Sequence, residues 1–253
     1  MERAVIHSDL KKQEIQPQPM LDQYIALLNE DIKKMLPAGS LQNVFCPVTG
    51  EQAVRESFRK MDMQYKISRT LGNIYLSPRP AMNVLNTFYR NSRARKFWLN
   101  ELWSQTQDVR QDKIILPQLE WSHGFILQYL SEIKLLMAEF LPNHWGYYQG
   151  ARNLWPEAAY KLVEPLFDLD ISDSKISASN IIDDSSSSTL DAAFLFEALD
   201  RSPEPLLILR KVASVLKPGG LCFITCLRSS GFEVQVLGQE SEIFVPPERM
   251  NIL

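Results

Sequence analysis

The most constraining feature of this sequence is a pair of apolar segments in its C-terminal third, separated by one helix-length stretch. Residues 190–196 are apolar or aromatic except for Asp191, and residues 221–227 are almost entirely apolar. Segments of this length and composition are typical of strands that are buried on both faces of a sheet. A strand, a helix and a second strand in this order predict a right-handed crossover between two parallel neighbours.

The stretch between the two segments carries helix signals at both ends. Ser202 can cap the amino end, and Pro203 and Pro205 fit the first turn, where a missing N–H costs little. Apolar residues at helical spacing line one face: Leu206, Leu209, Val212, Ala213 and Leu216. The KPGG run at 217–220 predicts a turn that ends this helix.

Two further apolar runs, 133–141 and 160–163, precede this unit. The four runs predict an α/β fold with a Rossmann-like, doubly wound and mostly parallel sheet, preceded by a small helical and irregular N-terminal region. We predict three parts: 1–43 as a tail and amphipathic helix, 44–120 as a small module followed by helices, and 121–253 as the sheet domain.

Residues 20–36 carry apolar side chains at three-to-four spacing and end at the PAG run of 37–39, which predicts an amphipathic helix. Two interpretations of its apolar face stay open: the helix packs on its own domain, or it binds a protein partner. Two further stretches, 81–103 and 121–132, are also predicted to be helical.

Charge and cysteine usage exclude several classes of protein. A net charge of -3 gives no support for nucleic-acid binding, and no apolar run approaches the roughly 20 residues of a membrane span. Three cysteines argue against a disulfide framework. Cys222 and Cys226 share one apolar segment, so we expect them to be buried thiols in a reducing compartment, as we do Cys46. The polar N-terminus lacks the apolar core of a signal peptide, which predicts a cytoplasmic protein.

The segment 190–227 reads LDAAFLFEALDRSPEPLLILRKVASVLKPGGLCFITCL. It resembles the middle of class I S-adenosylmethionine-dependent methyltransferases, in which an E-x-L-x-H-x-x-x-P stretch follows a strand and a helix leads to an "LKPGG" turn. Glu197, Leu199 and Pro205 match that pattern.

The tail and the first half of the chain are similar to one branch of that family. The tail from 231 reads GFEVQVLGQESEIFVPPERMN, and CP at 46–47, PRP at 78–80 and FY at 88–89 follow the order seen in that branch. Its members commonly act on sugars, polyketides or other small carbonyl and hydroxyl compounds, and they begin with a small zinc module. The resemblance covers about 44–251. Because the family's sheet normally continues with a reversed hairpin, we expect a C-terminally truncated domain.

The resemblance implies S-adenosylmethionine as cofactor and a small-molecule or sugar-linked substrate. It places Glu139 at the end of the first strand, Gly146 in the loop that follows, and Glu164, after the second strand, against the ribose hydroxyls. It further implies that Asp183, or the aspartate after it, faces the adenine amine and that Phe196 contacts the cofactor.

The sequence departs from the family at the zinc module. The four thiolate positions correspond to Cys46, Thr49, Ser68 and Leu71. A structural zinc needs about four nitrogen or sulfur ligands in tetrahedral geometry. One remaining thiol is not such a site, and we predict no zinc.

A second departure lies in the cofactor loop, where the family has G-x-G-x-G after the first strand. The three glycine positions hold Leu141, Asn143 and Trp145, and Gly146 and Gly150 come later. Glycine lets the backbone approach a cofactor closely. We therefore predict impaired or lost cofactor binding, with an active methyltransferase that has a rebuilt loop as the alternative.

Arg201 and Arg249 stand where the family has two histidines. Arginine stays protonated and cannot be a general base, but it can hold a phosphate or carboxylate, so we assign both residues to substrate binding. The helix after the FY pair carries a basic cluster, either a solvated face or a phosphate contact: Arg90, Arg93, Arg95 and Lys96.

Overall fold

The structure of the protein, a computed structural model, describes residues 10–130, 134–164 and 188–253. Asp183, which the resemblance places beside the adenine, lies outside the described residues. No helix within these three ranges is both long and apolar enough to cross a membrane.

Two helices open the described chain, the short α1 (Lys12–Ile15) and the longer α2 (Gln18–Met35), which confirms the predicted amphipathic helix. Tyr24, Leu28 and Ile32 lie on one face of α2 and are buried in the larger hydrophobic core. The apolar face of this helix is therefore covered by the protein's own core.

Short antiparallel strands follow: β1 (Leu41–Gln42), β2 (Val54–Lys60), β3 (Met63–Ser68), β4 (Ile74–Leu76) and β5 (Arg79–Pro80). Strands β2, β3 and β4 form an antiparallel sheet, and β1 pairs with β5. Phe58 and Tyr65 stack across the β2–β3 pair with ring centroids 5.4 Å apart. Such cross-strand aromatic pairs stabilise small sheets.

The helices of the central region are α3 (Met82–Asn91), α4 (Arg93–Phe97), α5 (Ser104–Arg110) and α6 (Leu116–Tyr129). Wider π-helical segments at Trp98–Trp103 and Gln111–Ile115 join the last three into one continuous run. This run is longer than the two predicted helices, because Pro117 sits in the first turn of α6, where its missing N–H is tolerated. Irregular π turns are frequent at functional sites.

A four-stranded sheet forms the second half: β6 (Leu136–Phe140), β7 (Ala159–Val163), β8 (Leu190–Phe196) and β9 (Leu216–Thr225). Its order is β7-β6-β8-β9 and all neighbours are parallel. The helices among these strands are α7 (Gly146–Leu154), α8 (Ala198–Arg201) and α9 (Pro205–Val215). The α/β class and the parallel pairing of β8 with β9 are thus confirmed.

The LKPGG run is part of β9 and not a separate turn before it. Helix α9 ends at Val215, one residue before its predicted end, because β9 begins at once with Leu216, and the register of β9 against β8 shifts between Leu190 and Ala192. Gly219 has a φ of 83°, and a Cβ on Gly220 would lie 3.1 Å from the carbonyl oxygen of Asp191. The glycines therefore let an irregular strand begin close to its neighbour.

The prediction that Cys222 and Cys226 are buried was wrong, because both are exposed, whereas Cys46 is buried as expected. In the described sheet β9 is an edge strand, and one of its faces is uncovered. Phe223 points into the core and Ile224 is 41% exposed. A strand buried on one face only sends alternate side chains into solvent.

The end of the chain returns to the N-terminal sheet. After α10 (Phe232–Leu237), the last strand β10 (Asn251–Ile252) pairs antiparallel with β4. The Asn251 side chain accepts a hydrogen bond from Arg79 at 3.0 Å and donates to the carbonyl oxygens of Leu199 and Ser202. The PRP stretch, the PPERMN stretch and the loop after β8 therefore meet at one buried point.

Candidate functional site

Three of the parallel strands end in residues with left-handed backbone. Leu141, Glu164 and Glu197 directly follow β6, β7 and β8, and their φ angles are 50°, 51° and 54°. Residues other than glycine rarely adopt this conformation, and they tend to occur where a site requires a sharp turn. In the sheet, β6 lies between β7 and β8, the two strands that follow it along the chain. The strand order therefore reverses at β6, and α/β sheets commonly bind ligands at such a reversal.

A cavity of about 270 Å³ lies at this carboxyl edge. Asn143 and His144 after β6, Glu197 after β8 and Leu227 after β9 line its floor. Its other lining residues come mainly from helices α1 and α2, the two π-helical segments and the C-terminal tail. Ligand pockets commonly have volumes of about 300–1,000 Å³, so this cavity suits a small ligand.

An aromatic stack occupies the loop after β6. The His144 ring lies 3.8 Å from the Trp103 ring and 5.4 Å from that of Tyr147, with the planes nearly parallel. His144 Nδ1 accepts a hydrogen bond from the Gly146 N–H at 3.1 Å, at the first residue of α7. Burial lowers the pKa of His144 well below its usual value. A neutral imidazole therefore stands over the start of this helix.

The three residues that the resemblance aligns with glycines make other contacts here. The Leu141 side chain is buried in the hydrophobic core. The Asn143 carbonyl oxygen accepts a hydrogen bond from the guanidinium of Arg95. Trp145 packs against Tyr148 and Leu162, beside Trp103.

The floor and the tail carry a network of charged side chains, in which Asp200 and Arg201 are buried and Glu197 is half-exposed. Arg249 donates to Glu197 at 2.7 Å and to Asp200 at 3.2 Å, and Arg201 donates to Glu197 at 3.1 Å. Burial acts to raise the pKa of Glu197, but the two guanidiniums outweigh it and the pKa lies well below its usual range. For Asp200 burial dominates and raises the pKa to about 6. Asp200 also accepts from the N–H of Leu227.

Several buried polar atoms around the cavity have no hydrogen-bond partner among the described residues. The donors are Arg95 Nε, Trp103 Nε1 and Arg201 Nε, and the acceptors are Asn143 Oδ1 and Glu248 Oε1. All five side chains are more than nine-tenths buried. An unsatisfied buried polar atom costs about 1–3 kcal/mol, so this concentration indicates a site built for a polar ligand.

Of the sequence-predicted residues, the structure brings Arg201 and Arg249 together in the cavity wall. Phe196 lies below it, stacked on Tyr147 with ring centroids 4.1 Å apart. Glu164 pairs with Lys211 on α9 at 3.4 Å and does not line the cavity.

Glu139 is buried inside the sheet, one residue before the end of β6. Its carboxyl accepts a hydrogen bond from the Tyr160 hydroxyl at 3.2 Å, and burial raises its pKa to about 8. The side chain does not line the cavity. At neutral pH this carboxyl is thus mainly protonated.

Gly146 begins α7 and is packed against the central helices. A Cβ there would lie 2.6 Å from Ile115 Cδ1 and 2.9 Å from the Trp103 ring. We expect Gly146→Ala to lower the free energy of unfolding by about 1–3 kcal/mol, because the rigid indole cannot move away. Urea denaturation measures the change.

The matched control is Gly124→Ala, an exposed position in α6 with no atom within 4 Å of the added Cβ. This substitution should stabilise by about 0.4–1 kcal/mol through helix propensity and the unfolded state. Ile115→Val added to Gly146→Ala should recover part of the loss. Equal effects of the two glycine substitutions would contradict close packing at Gly146.

The N-terminal region contains two similar turns at the positions that the resemblance assigns to zinc ligands. Gly50 and Gly72 both have a φ of 72°, the N–H of Thr49 points at Cys46 Sγ, and the N–H of Leu71 at Ser68 Oγ. Within the described ranges no group of three or more histidine, cysteine or acidic side chains could hold a metal ion.

Hydrogen bonds join these two turns. Glu51 accepts from the hydroxyls of Ser68 and Thr70, and the Asn73 amide donates to Cys46 Sγ at 3.3 Å. Burial acts to raise the pKa of the Cys46 thiol, but hydrogen bonds from Thr49 and Asn73 lower it on balance. A polar network therefore connects the two turns.

Sequence reasoning missed Trp103, Glu197 and Glu248 as site residues, and it left Arg95 undecided within a basic cluster. Arg95 is 2% exposed, whereas Arg93 on the same short helix lies on the surface and pairs with Glu30 at 2.9 Å. In the sequence, only the two-residue offset between these arginines distinguishes them, because it places them on different faces of a helix. No family model matches the chain, and searches of curated proteins and of solved structures found no match.

Proposed function

We propose that this chain is a methyltransferase-like module of the class I type that has lost S-adenosylmethionine binding and uses the cavity for another small ligand. The strand order β7-β6-β8-β9 supports the class I type, because its switch point lies beside β6. Leu141 supports it too: the resemblance aligns it with a glycine, and its left-handed backbone is one that glycine adopts readily. The hydrogen bond between Arg79 and Asn251 joins the PRP and PPERMN stretches, which are two motifs of the resembling branch.

The observation that carries the loss of cofactor binding is the stack of His144 on Trp103 at the start of α7. A glycine-rich loop exposes backbone N–H groups to the cofactor. Here the Gly146 N–H is bonded to His144, and two aromatic rings cover it. The residues present do not fit S-adenosylmethionine at this place.

The two positions at which the resembling family has histidines supply no base to the cavity. Both are arginines engaged by Glu197, and burial lowers the pKa of the nearby His144. A proton acceptor works best when its pKa lies near the working pH. These features favour a binding module over an enzyme.

We further propose a cytoplasmic location. Cys222 and Cys226 are exposed and unpaired, and exposed thiols persist in a reducing compartment. The alternative function, an active methyltransferase on a small or sugar-linked substrate, requires the aromatic stack to move aside.

Calorimetric titration with S-adenosylmethionine tests the proposal. We expect no binding in the low-micromolar range, because losing even two neutral hydrogen bonds at about 1 kcal/mol each weakens binding roughly thirtyfold. Any residual affinity should not depend on Glu164, since Lys211 already engages its carboxylate.

The titration is repeated on Glu164→Ala and on Lys211→Ala, which removes the partner and leaves the carboxylate. Low-micromolar binding by the wild type would overturn the proposal, and weaker binding in Glu164→Ala but not in Lys211→Ala would place Glu164 in the cofactor site. That result would establish the active-methyltransferase alternative.

A further inference from the structure

We propose that the cavity binds a small hydroxylated carboxylate, a monoanion whose carboxylate lies between Arg95 and Arg201 and whose hydroxyl donates to Glu248. This inference names the ligand class of the proposed binding module, so it rests on the proposed function. It is carried by the buried atoms that have no partner and by the balance of charge around the cavity.

The cationic side of the site has unused hydrogen-bonding capacity. Arg95 is 2% exposed and lies 4.9 Å over the Trp98 ring, and its Nε has no partner. Arg201 is 5% exposed and its Nε is likewise unpartnered. Hydrogen bonds between a guanidinium and a carboxylate are among the strongest in proteins. The two free Nε–H groups therefore suit a carboxylate. Burial lowers the pKa of Arg95, and a bound anion would oppose that effect.

An acceptor stands beside these donors. The Glu248 carboxylate is 6% exposed, and its Oε1 has no partner. Its closest approach to Arg201 is 4.0 Å, too long for a hydrogen bond. A ligand hydroxyl can satisfy Glu248 as a donor while the ligand carboxylate satisfies the arginine. Asn143, whose Oδ1 is also unpartnered, offers a second acceptor.

The charges of the side chains that line the cavity set the charge of the ligand. Five of these side chains are cationic: Lys12, Arg95, Arg110, Arg201 and Arg249. Four are carboxylates: Glu197, Glu233, Glu242 and Glu248. The lining thus has one more positive than negative charge, and within the described ranges neither Arg95 nor Arg110 has an ion-pair partner.

One excess positive charge favours a monoanion over a zwitterionic amino acid, which carries no net charge, and over a phosphate ester, which carries about two. The cavity volume of about 270 Å³ limits the ligand to a small molecule. Trp98 and Trp103 supply apolar wall for its carbon chain.

The experiment is calorimetric titration and thermal shift with four matched probes: glycerate, glycerol, serine and glycerol 3-phosphate. Gluconate serves as a longer homologue of glycerate. We expect glycerate or gluconate to bind and to raise the melting temperature, and the other three probes to bind at least tenfold more weakly. The inference would be overturned if glycerol, serine or glycerol 3-phosphate bound as tightly as glycerate. It would also be overturned if neither glycerate nor gluconate bound.

Two variants locate the site. Arg95→Gln should weaken glycerate binding about 10–100-fold, whereas Arg93→Gln, at an exposed position of the same helix, should leave it unchanged. Equal affinities of these two variants would place the ligand elsewhere and contradict the inference.

Glu248→Gln provides a second readout if Arg95→Gln does not fold. Removing one negative charge raises the excess from one to two, so preference should move from glycerate towards glycerol 3-phosphate by roughly tenfold. An unchanged preference would contradict the charge balance. The S-adenosylmethionine titration reports separately on the proposed function: a silent titration together with no hydroxy-acid binding would overturn this inference alone.

Discussion

Replacing Glu139 by glutamine is expected to make the protein more stable, by an amount that grows with pH. The carboxyl is 1% exposed, and its pKa is raised by burial from 4.5 to about 8. Below about pH 4.5 it is protonated in both the folded and the unfolded chain. Between about pH 5 and 8 only the unfolded chain releases the proton, so the wild type loses about 1.4 kcal/mol per pH unit. Above pH 8 the loss is complete, at about 5 kcal/mol.

Glutamine has the same shape and cannot ionise, and its carbonyl oxygen can accept the hydrogen bond of the Tyr160 hydroxyl. The free energy of unfolding of both proteins is measured in urea from pH 4 to 9. Their difference should be near zero at pH 4 and reach several kcal/mol at pH 9. Glu157→Gln, an exposed carboxylate just before β7, is the matched control and should show no such trend.

This result bears directly on the role that the methyltransferase resemblance assigns to Glu139. A carboxylate that binds a cofactor at neutral pH is ionised and is stabilised by its ligand. A difference that stays flat with pH, or a variant less stable than the wild type at pH 9, would contradict the buried, protonated state. It would also restore Glu139 as a candidate for cofactor binding.

Arg249→Met is expected to lower the free energy of unfolding by about 3–5 kcal/mol at neutral pH. The substitution removes the hydrogen bonds to Glu197 and Asp200 and leaves the fully buried Asp200 without a cation. Breaking a buried pair costs more than the pair contributes, because the remaining charge has lost its water and its partner. The part of the loss that comes from Asp200 should shrink as the pH falls towards about 6, because Asp200 in the variant has lost the cation that lowers its pKa and is protonated at a higher pH than in the wild type.

Three comparisons separate charge from packing in this experiment. Arg249→Lys keeps the charge but not the two-pronged geometry, and should give an intermediate loss. Asp200→Asn combined with Arg249→Met should recover part of the stability, because no charge is then left unpaired. Arg228→Met, at an exposed position after β9, should have little effect. A loss below 1 kcal/mol for Arg249→Met would show that the network contributes little to folding.

The parallel β8–α9–β9 unit could be predicted from the sequence because its signals are local. An apolar run, a proline-rich helix start, a helical apolar face and a glycine pair each act over a few residues. The same holds for α2, where one apolar stripe both forms the helix face and packs it on the core. The exposure of Cys222 could not be predicted in this way, because it depends on which strand lies at the sheet edge.

The site shows the same division. The sequence by itself determined that Arg201 and Arg249 replace possible bases, and that bulky residues replace the glycines of a cofactor loop. Tertiary structure alone decided that Arg95 from α4, Trp103 from a π-helical segment and Glu248 from the C-terminal tail surround one cavity. It also decided that Glu139 faces Tyr160 inside the sheet and not a ligand. These residues lie far apart along the chain, and their burial and pairing depend on how separate elements pack, which no local pattern records.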